Sequence, residues 1–155
     1  MAKLADYQDF LENIRIPIRL ACKTESGWPM VLSLWFIYRD GSLYCATRSG
    51  AKVVSYLLSN PDCAFEIAAD QPPYCGIRGQ AVASIDRPLG IEILDLLLDR
   101  YLGGRDNSLA EKLLENNDDE VAIRLNPVKI FSWDFSERMK DTGPGIGILN
   151  SKVCP

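Results

Sequence analysis

The sequence predicts a mainly β, α+β domain: six antiparallel strands closing into a small barrel, with helices flanking it. Three observations carry that prediction. Apolar residues alternate with period two through most of the chain, hairpin turn signals join early strands, and helical spacing is confined to short stretches. A doubly wound α/β sheet would need a helix after every strand, which fails across the first three strands. The 155 residues make one domain, long enough to bury a real core without staples.

The elements follow in order. Leu4, Tyr7, Phe10, Leu11 and Ile14 have helical spacing, so the spacing predicts a helix over Leu4 to Asn13. Ile16, Ile18, Leu20 and Cys22 then alternate as a half-buried first strand, ended by the turn Glu25-Ser26-Gly27. Met30 to Tyr38 is apolar on both faces apart from Ser33, so this second strand needs a second cover, either a helix or another subunit. Asp40-Gly41 is a hairpin signal, and Leu43, Cys45 and Thr47 share one side of strand three. A helix over about Ala51 to Ser59 stops at Asn60-Pro61. Strand four places Cys63, Phe65, Ile67 and Ala69 on one face. Strand five, after Pro72-Pro73, alternates Cys75, Ile77, Ala81, Ala83 and Ile85 with Tyr74, Arg78, Gln80 and Ser84. Gly79 in mid-strand marks a bulge or a close neighbour.

Asp86 and Pro88 open a helix whose stripe is Ile91, Leu94, Leu98 and Tyr101, ended by Gly103-Gly104. A short helix over about Ser108 to Asn116 precedes a last strand from Val121 to Phe135, with a bend or bulge at Asn126-Pro127. The tail from Asp141 holds three glycines and two prolines and reads as irregular.

Composition excludes much chemistry. With no histidine there is no Ser-His-Asp triad, no Cys-His dyad and no histidine metal ligand; a haem would have only Cys, Met or Tyr. A net charge of −4 argues against nonspecific nucleic-acid binding. No apolar run approaches a membrane span, and no secretory leader is visible in Met1 to Phe10. The five cysteines, Cys22, Cys45, Cys63, Cys75 and Cys154, show no CxxC spacing and read as free thiols in a reducing cytosol, with Cys154 exposed. The expected setting is therefore cytoplasmic.

The sharpest local feature is Thr47-Arg48-Ser49-Gly50-Ala51-Lys52, between strand three and the following helix. With Ser49 as N-cap, Lys52 falls in the first helical turn and Arg48 just before the cap. Two cations and no acid at the positive end of a helix dipole are unfavourable unless an anion joins them. A phosphate fits; so does a pair of solvated, screened surface cations, and both readings stand. Arg78 and Gln80 lie on the polar face of strand five, and Trp35 and Trp133 are large flat residues that serve either packing or stacking. Single carboxylates such as Glu66 and Asp134 form no acid–base pair. Gly143-Pro144-Gly145-Ile146-Gly147 opens no helix, so it is no dinucleotide fingerprint.

The order of these segments resembles the pyridoxamine 5′-phosphate oxidase-like flavin-binding split-barrel family. The likeness rests on Thr47-x-Ser49-x-x-Lys52, Asn60-Pro61, Phe65-Glu66-Ile67, Arg78-Gly79-Gln80-Ala81 and Pro127 to Asp134, and spans about residues 7–139. It implies a split barrel, a homodimer, and FMN in clefts at the dimer interface. By the same resemblance, Arg48, Ser49 and Lys52 hold the FMN phosphate, and Leu32, Ser33, Leu34 and Trp35 run along the flavin ring. Thr47 sits near the ribityl chain, Gln80 lies near the cofactor, and Trp133 faces the cleft from the other subunit. Pyridoxamine phosphate oxidase itself uses an Arg-x-His element that this chain lacks, so oxidation of pyridoxamine phosphate is not expected. The expected function is an FMN-binding oxidoreductase of small molecules. A reductase using the deazaflavin F420 and a non-catalytic flavin-binding module are the alternatives.

Overall fold

One antiparallel sheet of seven strands runs in the order β2-β1-β5-β6-β7-β4-β3. The computed structural model describes residues 2–115, 119–139 and 154–155. Its strands are β1 (Ile18–Lys23), β2 (Pro29–Leu34), β3 (Ile37–Arg39), β4 (Ser42–Arg48), β5 (Asp62–Ala68), β6 (Cys75–Asp86) and β7 (Glu120–Asp134). The helices are α1 (Gln8–Asn13, after a 3₁₀ turn at Leu4–Tyr7), α2 (Lys52–Ser59), α3 (Gly90–Leu102) and α4 (Ser108–Leu114).

Seven strands replace the expected six because the apolar run from Met30 to Tyr38 changes partner halfway. Its first half pairs with β1, ending at Ile18↔Leu34; its second half pairs with β4, starting at Ile37↔Tyr44. The ladder breaks at Trp35-Phe36, yet the alternation keeps its phase across the break. Met30, Leu32, Leu34, Phe36 and Tyr38 all face the main core, while Trp35 and Ile37 face the other side. Residues 29–39 thus supply both edges of the sheet, and the barrel is split at the join.

The main core lies inside the curl of the sheet. Ile18, Leu20, Leu43, Ile67, Ile77, Ile123 and Leu125 are fully buried there, and α1 and α2 add Phe10, Leu11, Val53, Val54 and Leu57. Each such side chain contributes roughly 1.5–3 kcal/mol by leaving water. The α3 helix covers one part of the outer face, with Ile93 and Leu97 against Ile37, Tyr44 and Ala122. Its start is pressed onto β7: a Cβ on Gly90 would lie 2.1 Å from the Glu120 carbonyl oxygen. Asp86, named above as a helix opener, accepts the Leu89 N–H at 3.1 Å. Gly103, with φ of 72°, ends the helix in the left-handed region.

Near the end of α3, Arg100 and Tyr101 tie three elements together. The Arg100 guanidinium donates to the carbonyls of Leu11 at 2.6 Å, Glu12 at 3.0 Å and Ile14 at 2.5 Å, and lies 5.2 Å over the Phe36 ring. The Tyr101 hydroxyl accepts the Phe36 N–H at 3.3 Å and lies 3.1 Å from the Ile16 carbonyl oxygen, to which it donates. It thereby serves a backbone amide at the strand join that the ladder does not pair.

Other sequence features find their places. Asp40 and Gly41 both have positive φ in a two-residue hairpin loop. Gly79 has close neighbours, since a Cβ there would lie 2.4 Å from the Lys129 carbonyl oxygen and 2.8 Å from the Phe65 ring. The register of β6 against β7 shifts between Gln80 and Ala81, beside Pro127, where the bulge is expected.

The cysteine reading needs correction. Cys22, Cys45 and Cys63 are free and buried, but Cys75 is disulfide-bonded to Cys154 across 79 residues of sequence. No spacing rule links two cysteines so far apart. Cys154 is half-buried beside Ser136 rather than exposed, because the chain end returns to the start of β6. The glycine-rich stretch at Gly143 to Gly147, like the expected irregular tail apart from Cys154 and Pro155, lies outside the described residues.

Candidate cofactor site

The β4–α2 loop joins the last residues of a sheet strand to a helix start. Arg48 ends β4, and Lys52 is the first residue of α2. The helix cap is Ala51, not Ser49, and Ala51 has no side-chain acceptor to satisfy the first-turn N–H groups. The first turn contains no acid, and Lys52 is exposed with no ion pair among the described residues.

Ser49 is drawn away from capping by a residue 70 positions distant. Its N–H donates to the Asp119 carbonyl at 2.8 Å, and its hydroxyl hydrogen-bonds the Asp119 carboxylate. Arg48 faces Glu120 across the β4–β7 ladder. Burial pushes the Glu120 carboxyl upward; Arg48 opposes that shift and Asp119 adds to it. Sequence reasoning missed these two acids, which the local segment could not reveal. The only signal was the acidic run Glu115, Asp118, Asp119 and Glu120.

The strand join forms the facing wall. Extending the β3–β4 register backward would set Trp35 against Ala46, Leu34 against Thr47 and Ser33 against Arg48. The chain instead leaves for β1, so the sheet opens between these segments. Trp35 and Ala46 still pack in the same cluster under α3. Leu32 and Leu34 turn inward, and the Ser33 side is exposed. The Trp35 ring stacks on Tyr101 with centroids 5.0 Å apart and planes 6° from parallel.

Gln80 and Trp133 lie elsewhere on the chain. Trp133 pairs with Gly76 at the far end of β7 from Glu120, ~40 Å along the strand at the usual rise. Arg78 sits 5.4 Å over the Trp133 ring, and Lys129 sits 4.8 Å over Phe131. A hollow of about 370 Å³ lies beside them, lined by Arg19, Val31, Glu66, Arg78, Gln80 and Phe131 over a floor of Ala21, Ala64 and Gly79. A neighbouring hollow of about 430 Å³ shares Ala21, Ala64 and Gln80. Within the chain, Leu32 to Trp35 lie at the strand join and Thr47 to Lys52 at the end of β4 and the start of α2, while Gln80 and Trp133 lie on a separate open face.

Known structures share this fold. No protein-family model matches the sequence, and no curated protein matches it. The protein Rv2991 from Mycobacterium tuberculosis superposes with a TM-score of 0.74 over 95% of this chain and 93% of its own, at 19% identity. An F420 reductase gives 0.66 over 81% and 95%, at 24% identity. A candidate pyridoxamine 5′-phosphate oxidase from Listeria innocua gives 0.62 over 83% and 95%, at 18% identity. The fold is that of the pyridoxamine 5′-phosphate oxidase-like split barrels. Split barrels carry different functions, since HutZ, a haem storage protein from Vibrio cholerae, also matches. Among the described residues of this one, no group of three or more Cys, Asp or Glu side chains is placed to hold a metal ion, and no helix is long and apolar enough to cross a membrane.

Proposed function

We propose that the protein is a homodimeric, FMN-binding oxidoreductase of small molecules. The observation that carries this reading is the pair of cations, Arg48 and Lys52, at an α2 start that no side chain caps, on the rim of the split. These residues fit a terminal phosphate. Arg48 and Lys52 neutralise it, the first-turn amides of α2 donate to it, and the backbone of Leu32 to Trp35 runs along the ring. Thr47 lies between the two groups. When bound, FMN supplies the hydride and electron transfer, and the chain binds, orients and shields it. That division of labour suits a chain without histidine.

The homodimer is supported by the face that carries Gln80 and Trp133. Ser33, Arg19, Glu66, Arg78 and Phe131 form one cross-strand row over β2, β1, β5, β6 and β7. Arg19 turns to the Pro17 carbonyl and Arg78 to Trp133, so neither arginine forms an ion pair with Glu66. Val31, Val128 and Phe131 are 67, 54 and 46% exposed beside them. A second copy laid on this face covers the apolar groups, offers charges of both signs, and carries Trp133 and Gln80 to the split of its neighbour. The similarity to an F420 reductase favours one further reading, the same site filled by F420.

The test is the absorbance spectrum of the purified protein, followed by FMN titration. Arg48→Ala combined with Lys52→Ala should weaken FMN at least about a hundredfold, the scale of two lost charge-assisted contacts. FMN held at wild-type affinity by that double variant overturns the phosphate assignment.

A further inference from the structure

Two thiols that the cofactor reading leaves unused meet where two strands part. The β1–β5 register runs Arg19↔Glu66, Leu20↔Phe65, Ala21↔Ala64 and then stops, although β1 continues to Lys23 and β5 begins at Asp62. One step further along that register, Cys22 stands opposite Cys63. Both belong to the main core, on the same side of the sheet as Leu20 and Phe65 two residues away. Directly opposed residues of an antiparallel pair have Cα atoms about 4.5–5.5 Å apart, and a disulfide spans about 4.4–6.8 Å. Both thiols also line the hollow of about 430 Å³, beside Lys23, Asp62 and Val82. They are only 4 and 8% exposed, so that hollow is their way out to solvent. Cys45 is fully buried on β4, which borders neither strand, and does not line the hollow.

We propose that Cys22 and Cys63 form a cross-strand dithiol that closes to a disulfide when a small disulfide oxidant enters this hollow. Cys22, as thiolate, attacks one sulfur of the oxidant and expels the first thiolate; Cys63 then attacks the Cys22 sulfur and expels the second. Two S–H bonds are lost, one S–S bond forms, and the oxidant leaves as two thiols carrying the two protons. The Cys63 thiol gives up its hydrogen bond to the Ala81 carbonyl, at 3.4 Å. The bond joins β1 to β5 where their ladder has ended. Burial pushes Cys63 up to about 12, with Cys22 and Asp62 adding to the rise, and burial raises Cys22 as well. Closure is therefore slow at neutral pH and speeds up about tenfold per pH unit as the thiolate fraction grows.

The experiment incubates the folded full chain with hydroxyethyl disulfide at pH 7, 8 and 9, then alkylates it and maps the unreduced peptides, with circular dichroism as the folding check. A second copy on the bare face would roof the hollow, so Val31→Asp is assayed beside wild type. The expected result, in either chain, is a peptide linking Cys22 to Cys63, with Cys45 alkylated and the rate rising with pH as stated. Cys22→Ser and Cys63→Ser should form no internal bond and stop at a mixed disulfide on the remaining thiol. Alkylated Cys22 and Cys63 in both chains, stable mixed disulfides on both thiols, a bond from either to Cys45, or a link that forms only once the protein is denatured overturns the proposal. None of these outcomes bears on the cofactor reading.

Discussion

The outer face of the sheet has two halves, built alike and finished differently. On β3, β4 and β7, the residues Ile37, Tyr44 and Ala122 are buried beneath Ile93 and Leu97 of α3. On β2, β1, β5 and β6, the corresponding outward residues Val31, Ala21, Ala64 and Val82 have no helix over them among the described residues. A single apolar run, Met30 to Tyr38, crosses from one half to the other, but the bare half also carries the polar row Ser33, Arg19, Glu66 and Arg78, so the halves differ in outward composition as well as in cover. Where α3 is available the face is sealed from within, and on the remainder Val31 and Val82 stay exposed.

That contrast can be broken by mutation. Leu97→Ala on the covered half should cost about 3 kcal/mol, since it opens a cavity under a fully packed helix, and denaturant unfolding would show it. Val31→Asp on the bare half should leave the fold intact but convert a dimer to a monomer in sedimentation. A Val31→Asp chain that stays dimeric would place the interface elsewhere. Gly79→Ala lies at the boundary beneath the bare half. Its Cβ would collide with the Lys129 carbonyl and the Phe65 ring, so a loss of about 1–3 kcal/mol is expected in the same assay.

The smallest effect concerns the thiols on the inner side of the same strands. Burial raises the Cys22 thiol and pushes Cys63 up to about 12, and it raises Cys45 as well. All three stay protonated at pH 8, so the native protein should react slowly with an aromatic disulfide reagent and the denatured protein quickly. Cys22 and Cys63 underlie the bare half and Cys45 the covered half. Labelling should therefore reach Cys45 last, and mass mapping of the labelled sites would test the order.

Much of this was legible in the residues. Period-two alternation found the strands, Asp40-Gly41 found a hairpin, and Gly79 announced a crowded backbone. The cover needed by Met30 to Tyr38 was also foreseen, though as one choice rather than a helix for one half and an open face for the other. What stayed hidden depended on contacts distant in sequence. Ser49 looked like a cap because a local reading sees only its neighbours, and Asp119 claims it from 70 residues away. Trp35 read as either packing or stacking, and its partner Tyr101, 66 residues on, could not be named from the strand alone. The Cys75–Cys154 bond likewise has no local signature.

The shared strand also sets the order in which the molecule can assemble. The hairpins β1–β2 and β3–β4 are local and need only short loops to close. The strands that fill the sheet between them arrive from later in the chain: β5 seats on β1, and β7 seats on β4 from about 80 residues downstream. Neither hairpin has its final neighbour until those late segments are in place, so the rate is governed by distant contacts. Such a topology belongs with the slow folders, on the millisecond-to-second scale.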